Sequence, residues 1–532
     1  MYYLHVSFFL DLFCCFTRLF IKAVSVYFSI GNCLFCFYMV KNASVLKKLA
    51  GQTAIYGLSS IVGRLLNWLL VPIHTRIFMR EEYGIVTDLY AYVGFLLIFY
   101  TYGMETAFFR FTKDGQETDK VYSTGQWSLL ISSFLLSGLL ITFAAPIAEW
   151  LHYPQHTTYI RWFALVLAAD TLVALPFAKL RYEERPLRFA AYRLFNIGLN
   201  IVLTVFFLLI CPYMKDTWPI LGFVYRPAVG IGYIFLSNLI ASLATLLLLL
   251  PKTLPSPRLF DRQLWRAMLH YSLPLVVVGF AGAINEMLDR VLLKYWLPYD
   301  ITTNLAQLGI YGAAYRLCVI MALFTQAFRF AAEPFFFAQA KGSHAQSIYA
   351  DTMKYFVIVG LYAFMGVSFF MDIVKYLLGS NFHEGLGVVP VLLFAQLLLG
   401  IYYNLAIWYK LTDKTIFGAY ISLLGAVVTI ILNIVTIPLI GYWGAALTTL
   451  ICYAVMVGVC YFFGQKYYPI PYQSGRIGGY ILLAVGAVIV NQVWLNYWPA
   501  LPAMGVRLAF LGIFTAFVYR YEKKQIDTIG NL

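Results

Sequence analysis

The sequence is poor in charge. Only 12% of its 532 residues are Asp, Glu, Lys or Arg, while 61% are hydrophobic. A water-soluble domain carries roughly 25% charged residues to cover its surface, so a soluble globule of this size is excluded. No phosphate-binding G-x-x-x-x-G-K-[ST] loop occurs, and no polar stretch is long enough for a nucleotide-binding domain, which excludes ATP hydrolysis by this chain alone. No H-E-x-x-H pair exists among the seven histidines; His152 and His156 have the spacing of a metal pair, but Pro154 interrupts them. The eight cysteines form no disulfide framework, and Cys33-x-x-Cys36 has no partner motif, so no metal or cofactor is expected. The net charge of +14 forms no continuous basic face, and nucleic acid is not an expected partner.

What is present is a succession of long apolar runs. A membrane crossing needs about 20 apolar residues at 1.5 Å rise each. Such spans are expected near 53–74, 85–105, 123–148, 159–178, 191–211 and 228–250, then 270–297, 309–337, 353–373, 387–408, 416–437, 441–463, 477–498 and 502–519. Within the charge-free run 415–465, Pro438-Leu-Ile-Gly441 is expected to turn one helix into the next. The fold class is therefore all-α: a polytopic membrane protein of about 14 transmembrane helices. The aromatic content, 18%, suits two interfacial belts.

Loop charges orient the chain. Lys41, Lys47, Lys48, Arg110, Lys113, Lys120, Lys179, Arg181, Arg185 and Arg188 fall on one side, with Arg258, Arg262, Arg266, Lys410, Lys466 and Lys523. The other side holds fewer, among them Arg76, Arg80, Arg161, Lys215, Arg226, Lys294 and Lys375. The positive-inside rule then places both termini in the cytoplasm of a cell whose cytoplasmic membrane the chain spans. Residues 1–38 read as a signal-like segment, an extra span, or a stretch upstream of a true start at Met39; the last is favoured.

A weak internal echo relates Tyr83-Gly84-Ile85 and Tyr90 to Leu308-Gly309-Ile310 and Tyr315, at a shift of 225 residues. It divides the chain into an N-terminal segment (1–45), a six-helix lobe (46–265), a second six-helix lobe (266–465) and a C-terminal pair with its tail (466–532). Chance similarity between apolar segments explains the echo equally well.

Charges inside spans carry the functional signal, because each costs about 2.5–3.5 kcal/mol at mid-helix and must face protein or water. Arg64 interrupts the first span and Asp170 lies in the middle of the fourth. Glu286, Asp289 and Arg290 share one face of the seventh. Arg316, Arg329 and Glu333 lie in the eighth; the last two have the spacing of a local ion pair. Asp289 could neutralise Arg290 or Arg64, whereas Asp170 has no cation within reach on its own helix. A hydrated cavity lined by these groups accounts for all of them.

Several of these residues, with Gly51-Gln52-Thr53, Glu82-Tyr83-Gly84, Asn433 and Pro438-x-x-Gly441-x-x-Gly444-Ala445-Ala446, resemble a known pattern over about 45–520. It is that of the polysaccharide-biosynthesis flippases of the multidrug/oligosaccharidyl-lipid/polysaccharide exporter superfamily. The resemblance implies a transporter rather than an enzyme, two lobes opening alternately, and a lipid-linked oligosaccharide such as an O-antigen unit on undecaprenyl pyrophosphate as cargo. It implies that Arg64, Arg290 and Arg316 meet the pyrophosphate. A related lipid II flippase family holds a cation between helices 7, 11 and 12; the corresponding groups here are Glu286 or Asp289, Asn433, and Thr448 or Thr449, with no acidic residue on helix 11. Asp170, Glu286, Asp289 and Asn433 are thus the expected proton- or sodium-coupling residues. Two other readings stand beside this one: a cation-coupled drug exporter of the same fold, and a membrane enzyme of glycan assembly.

Overall fold

The computed structural model describes residues 57–530 except 58, 114–116, 215–216, 219–224, 341, 343 and 496–497. The readings made for residues 1–45, for Gly51-Gln52-Thr53 and for Lys215 lie outside the described residues. Among the described residues there is no strand, and thirteen helices are long and apolar enough to cross a membrane. In lipid, helices satisfy their own backbone groups, which is why apolar runs of this length fold this way.

We label the spans in chain order. Residues 59–68 and Val71–Ile77 form α1; α2 is Arg80–Thr101, continued by Met104–Lys113. Next come α3 (Thr118–Thr142), α4 (Thr157–Tyr182), α5 (Pro186–Val205), α6 (Gly232–Thr253) and α7 (Arg262–Trp296). The chain continues as α8 (Ile301–Leu317, then Val319–Gln339), α9 (Ala345–Phe369) and α10 (Val389–Leu405, then Ile407–Leu411). The last four are α11 (Ile416–Ile440), α12 (Tyr442–Tyr467), α13 (Ser474–Val493) and α14 (Ala500–Gly530). Connections after even-numbered helices lie on one face, here the basic face; those after odd-numbered helices lie on the other, the distal face.

Local chemistry sets the punctuation. Gly441 takes φ +62° between α11 and α12, the turn expected after Pro438. Gly103 takes φ +71° where α2 breaks, and a side chain there would press on the Ser272 carbonyl of α7 at 3.3 Å. Asp261 caps α7 by accepting from the backbone N–H groups of Gln263 and Leu264, and Asp300 caps α8 in the same way. Large apolar side chains point outward on many spans, including Phe134, Leu439 and Leu482, as a lipid-facing surface requires.

The last two helices are tied on by buried charge. Lys354 of α9 lies 2.7 Å from Glu522 of α14, which also accepts from Tyr480 of α13. Arg507 is buried between Asn491 and Asp372 at 2.7 Å from each.

Candidate functional site

The distal ends of α2 and α8 cross with almost no side chain between them. A Cβ on Gly84 would stand 2.0 Å from the Leu305 carbonyl oxygen, and one on Gly309 would stand 2.0 Å from that of Arg80. The two contacts are related by the same shift of 225 residues that relates the sequences. Close backbone approach of this kind needs small residues, as in other membrane helix pairs.

More contacts close the distal side around this crossing. The backbone N–H of Gly379 donates to Thr75 Oγ1 at 3.0 Å, Arg76 donates to the Tyr376 carbonyl at 2.6 Å, and Arg80 pairs with Glu384 at 2.9 Å. Deeper in, Lys294 of α7 lies 2.7 Å from Asp88 of α2, both wholly buried. Its Nζ also donates to the Leu151 carbonyl, Tyr153 donates to Asp88 at 2.8 Å, and the Tyr153 ring covers the ammonium at 3.9 Å. Lys294 is therefore not the loop charge that its place near a span end suggested.

Toward the basic face the same helices expose charge at membrane depth. Arg316 is accessible, and its field reaches His74 on α1 and the hydroxyls of Tyr83 and Tyr90 on α2. Arg290 lies over the Tyr315 ring at 4.4 Å, and its field also reaches Tyr83, so α7 and α8 bring two guanidinium groups to one tyrosine. Trp68 fixes α1 against them by donating to the Arg316 carbonyl at 2.8 Å. Arg64, one turn earlier on α1, is exposed, and its field reaches Arg193 on α5 and Tyr403 on α10. Arg64 is thus accessible and within electrostatic reach of both α5 and α10. Glu286 is also exposed, facing Tyr315, Tyr403 and Tyr453.

Of the three residues expected to share one face of α7, Glu286 and Arg290 both face Tyr315, Glu286 exposed, while Asp289 is buried, accepting from the Tyr311 hydroxyl at 2.5 Å and from its neighbour's backbone N–H at 2.8 Å. Asp289 thus faces α8. One turn before it, Asn285 donates to the Ser422 carbonyl and meets Thr429 and Cys452, which puts Asp289 level with Asn433 of α11 and Thr449 of α12. Asn433 is fully buried, and neither its Nδ2 nor its Oδ1 has a hydrogen-bond partner among the described residues. Thr448 bonds Thr436 at 3.1 Å.

Asp170 finds its partners on other helices: Ser242 of α6 donates to it at 2.7 Å, and the field of Arg193 on α5 reaches it. Arg329 and Glu333 do form the local pair, at 3.6 Å, but Lys410 of α10 is closer to Glu333 at 2.6 Å.

The model of the polysaccharide biosynthesis protein family matches residues 49–339, more than half of the chain. The chain belongs to that family. A curated relative from Haloferax volcanii, the "Probable low-salt glycan biosynthesis flippase Agl15", is 22% identical over 286 residues. That match covers 53% of this chain and 58% of the relative, so the chain aligns with less than two thirds of it. Among solved structures, the lipid II flippase MurJ in an inward closed conformation superposes with a TM-score of 0.69 at 13% identity, over 88% of this chain and 99% of that one. An inward-facing multidrug resistance MATE family transporter gives 0.56 at 15%, over 80% and 95%. At such identities these likenesses fix the fold of this family member, a MurJ- and MATE-like helical bundle, and nothing finer.

Proposed function

We propose that this chain is a flippase that carries an undecaprenyl pyrophosphate-linked oligosaccharide across the cytoplasmic membrane, for export of a polysaccharide such as O-antigen. The observation that carries the reading is the set Arg64, Arg290 and Arg316. They come from three helices, α1, α7 and α8, with Arg64 and Arg316 exposed on the basic side of the α2–α8 crossing, which supports a path for an anionic head group between the helices. A pyrophosphate head must cross about 30 Å of hydrocarbon, and guanidinium forks replace its hydration with charge-assisted hydrogen bonds. Family membership and the glycan flippase named among its relatives support the same reading.

With the basic face in the cytoplasm, the passage is open to the compartment where a lipid-linked glycan is assembled. Two six-helix lobes then alternate: the α2–α8 crossing and the Asp88–Lys294 pair part while the basic side closes. The reading assigns this chain transport and no covalent chemistry. For coupling, we assign Asp289 with the unpartnered Asn433 and Thr449 as oxygen donors for a sodium ion or a proton site. Glu286 and Asp170 face arginines in and beside the passage.

The fold also fits a cation-coupled multidrug exporter, but such a cavity would favour carboxylates over three arginines. Arg64→Ala and Arg316→Ala, expressed in a strain lacking the chromosomal copy, test the proposal. Surface polysaccharide falls at least about tenfold at normal expression, the loss expected when a charged hydrogen bond is removed. Full surface polysaccharide with both variants, or efflux of organic cations in the absence of glycan genes, would refute it.

A further inference from the structure

The first six spans also hold a stripe of polar side chains, most of them uncharged amides and hydroxyls, that the pyrophosphate reading above does not use. On α5, Arg193, Asn196, Asn200 and Thr204 recur at intervals of three and four residues and so share one face. Leu194, Phe195 and Val202 occupy the opposite, exposed face, where lipid lies. On α6, Asn238, Ser242 and Thr245 share a face in the same way. The two faces meet: Asn196 donates to Thr245 at 3.0 Å, Ser242 to Asp170 at 2.7 Å, and Asn238 to the Tyr90 hydroxyl at 3.2 Å.

Tyr90 joins this stripe to the arginine cluster, because the fields of both Arg316 and Asp170 reach its hydroxyl. Arg193 joins it a second time, through Arg64. Two oxygens on the stripe, Asn200 Oδ1 and Thr204 Oγ1, are buried without a partner among the described residues. Polar groups at membrane depth are costly, and unpartnered ones more so, unless something polar meets them during the working cycle.

Amide and hydroxyl side chains in a row, with one tyrosine and one carboxylate whose charge Arg193 offsets, are suited to a neutral ligand rich in hydroxyl groups. Each amide offers a donor and an acceptor to adjacent hydroxyls, and the tyrosine offers a ring face and a polar tip. We infer that the α4–α5–α6 stripe, through Asn196, Asn200, Asn238 and Asp170, binds the sugar residues next to the pyrophosphate and sets which glycan the protein accepts. The inference rests on the flippase reading and adds to it: arginines hold the charge common to every cargo, and the stripe reads what differs.

The test uses the purified full chain and two probes, undecaprenyl pyrophosphate and the same lipid carrying an oligosaccharide repeat unit. The variants are Asn200→Ala, Asn238→Ala and the near-isosteric Asn200→Asp, each checked for wild-type thermal stability. The alanine variants lower affinity for the glycosylated lipid by about tenfold, the upper range for a lost neutral hydrogen bond, and leave the bare lipid within about twofold. Asn200→Asp, which keeps shape and an acceptor but loses the donor, changes the ranking among repeat units rather than abolishing binding. Equal losses for both probes, or no loss for either, overturn the inference. So does an Asp170→Asn variant that alters proton or sodium dependence while glycan preference stays unchanged, since the stripe would then be an ion path. Should the wild-type chain bind neither probe, the flippase reading itself fails, a result distinct from all of these.

Discussion

Lys294 Nζ and Asp88 Oδ2 lie 2.7 Å apart with no solvent exposure on either side chain, and they join α7 to α2 at the distal end of the passage. Losing one partner strands a buried charge, at about 3–5 kcal/mol. Asp88→Asn therefore weakens distal closure, and single cysteines placed near Gly84 and Gly379 gain reactivity toward a membrane-impermeant thiol reagent added on that side. The exchanged pair, Asp88→Lys with Lys294→Asp, recovers part of the protection. Unchanged labelling in the single variant contradicts a latch at this position.

The α2–α8 crossing gives a second prediction. Gly309→Ala places a methyl group 2.0 Å from a backbone oxygen that cannot retreat as a side-chain tip could. Overpacking of this kind costs about 1–3 kcal/mol, so the variant unfolds at lower temperature in detergent and exposes its distal face. Gly138, whose would-be Cβ meets no packing neighbour within 4 Å among the described residues, is the control: Gly138→Ala is neutral or stabilising by up to about 1 kcal/mol.

Much of this was legible in the sequence, for physical reasons. A lipid solvent forces apolar runs and basic loops, so the spans and their breaks at Pro438–Gly441 stand out along the chain. Arg64, Arg290 and Arg316 stand out because charge within an apolar run is rare. The buried partners did not stand out. Lys294 lies near the end of a span, where a lysine ordinarily snorkels to the interface, and its carboxylate is 206 residues away in sequence. Arg193 lies on α5, and the carboxylate its field reaches, Asp170, is on another helix. Pairing between spans is long-range information that no local spacing contains. The intramembrane position of Asp88 was the signal available for the latch, and that of Arg193 for the stripe.

Coupling can be separated from cargo binding. Asp289→Asn and Asn433→Ala change the response of transport to collapse of a sodium or proton gradient, and leave lipid pyrophosphate binding within about twofold. The check is uptake into vesicles with each gradient dissipated in turn. Retained gradient dependence in both variants removes Asp289 and Asn433 from the coupling role.

Acid stability has a local source outside the membrane. Hydrogen bonds from Lys120 and from the backbone N–H groups of Leu264 and Gln263 hold the Asp261 carboxyl down at about 2. A lowered folded-state value stabilises the fold above the ordinary carboxylate range, and that contribution is lost as pH falls toward 2. Thermal unfolding followed from about pH 5 to about pH 2 shows an acid limb that Asp261→Asn flattens. An unaltered limb assigns the acid sensitivity to other carboxylates.

The account stands or falls on whether the arginine passage moves a lipid pyrophosphate. Purified wild-type protein, Arg316→Ala and Arg290→Ala reconstituted in liposomes with undecaprenyl pyrophosphate-linked oligosaccharide measure this directly, read as glycan becoming accessible to a lectin on the opposite leaflet. Wild type transfers the glycan, and each arginine variant is slower by at least about tenfold at equal incorporation. Equal rates in all three, or no transfer by wild type above protein-free liposomes under either gradient, contradict it.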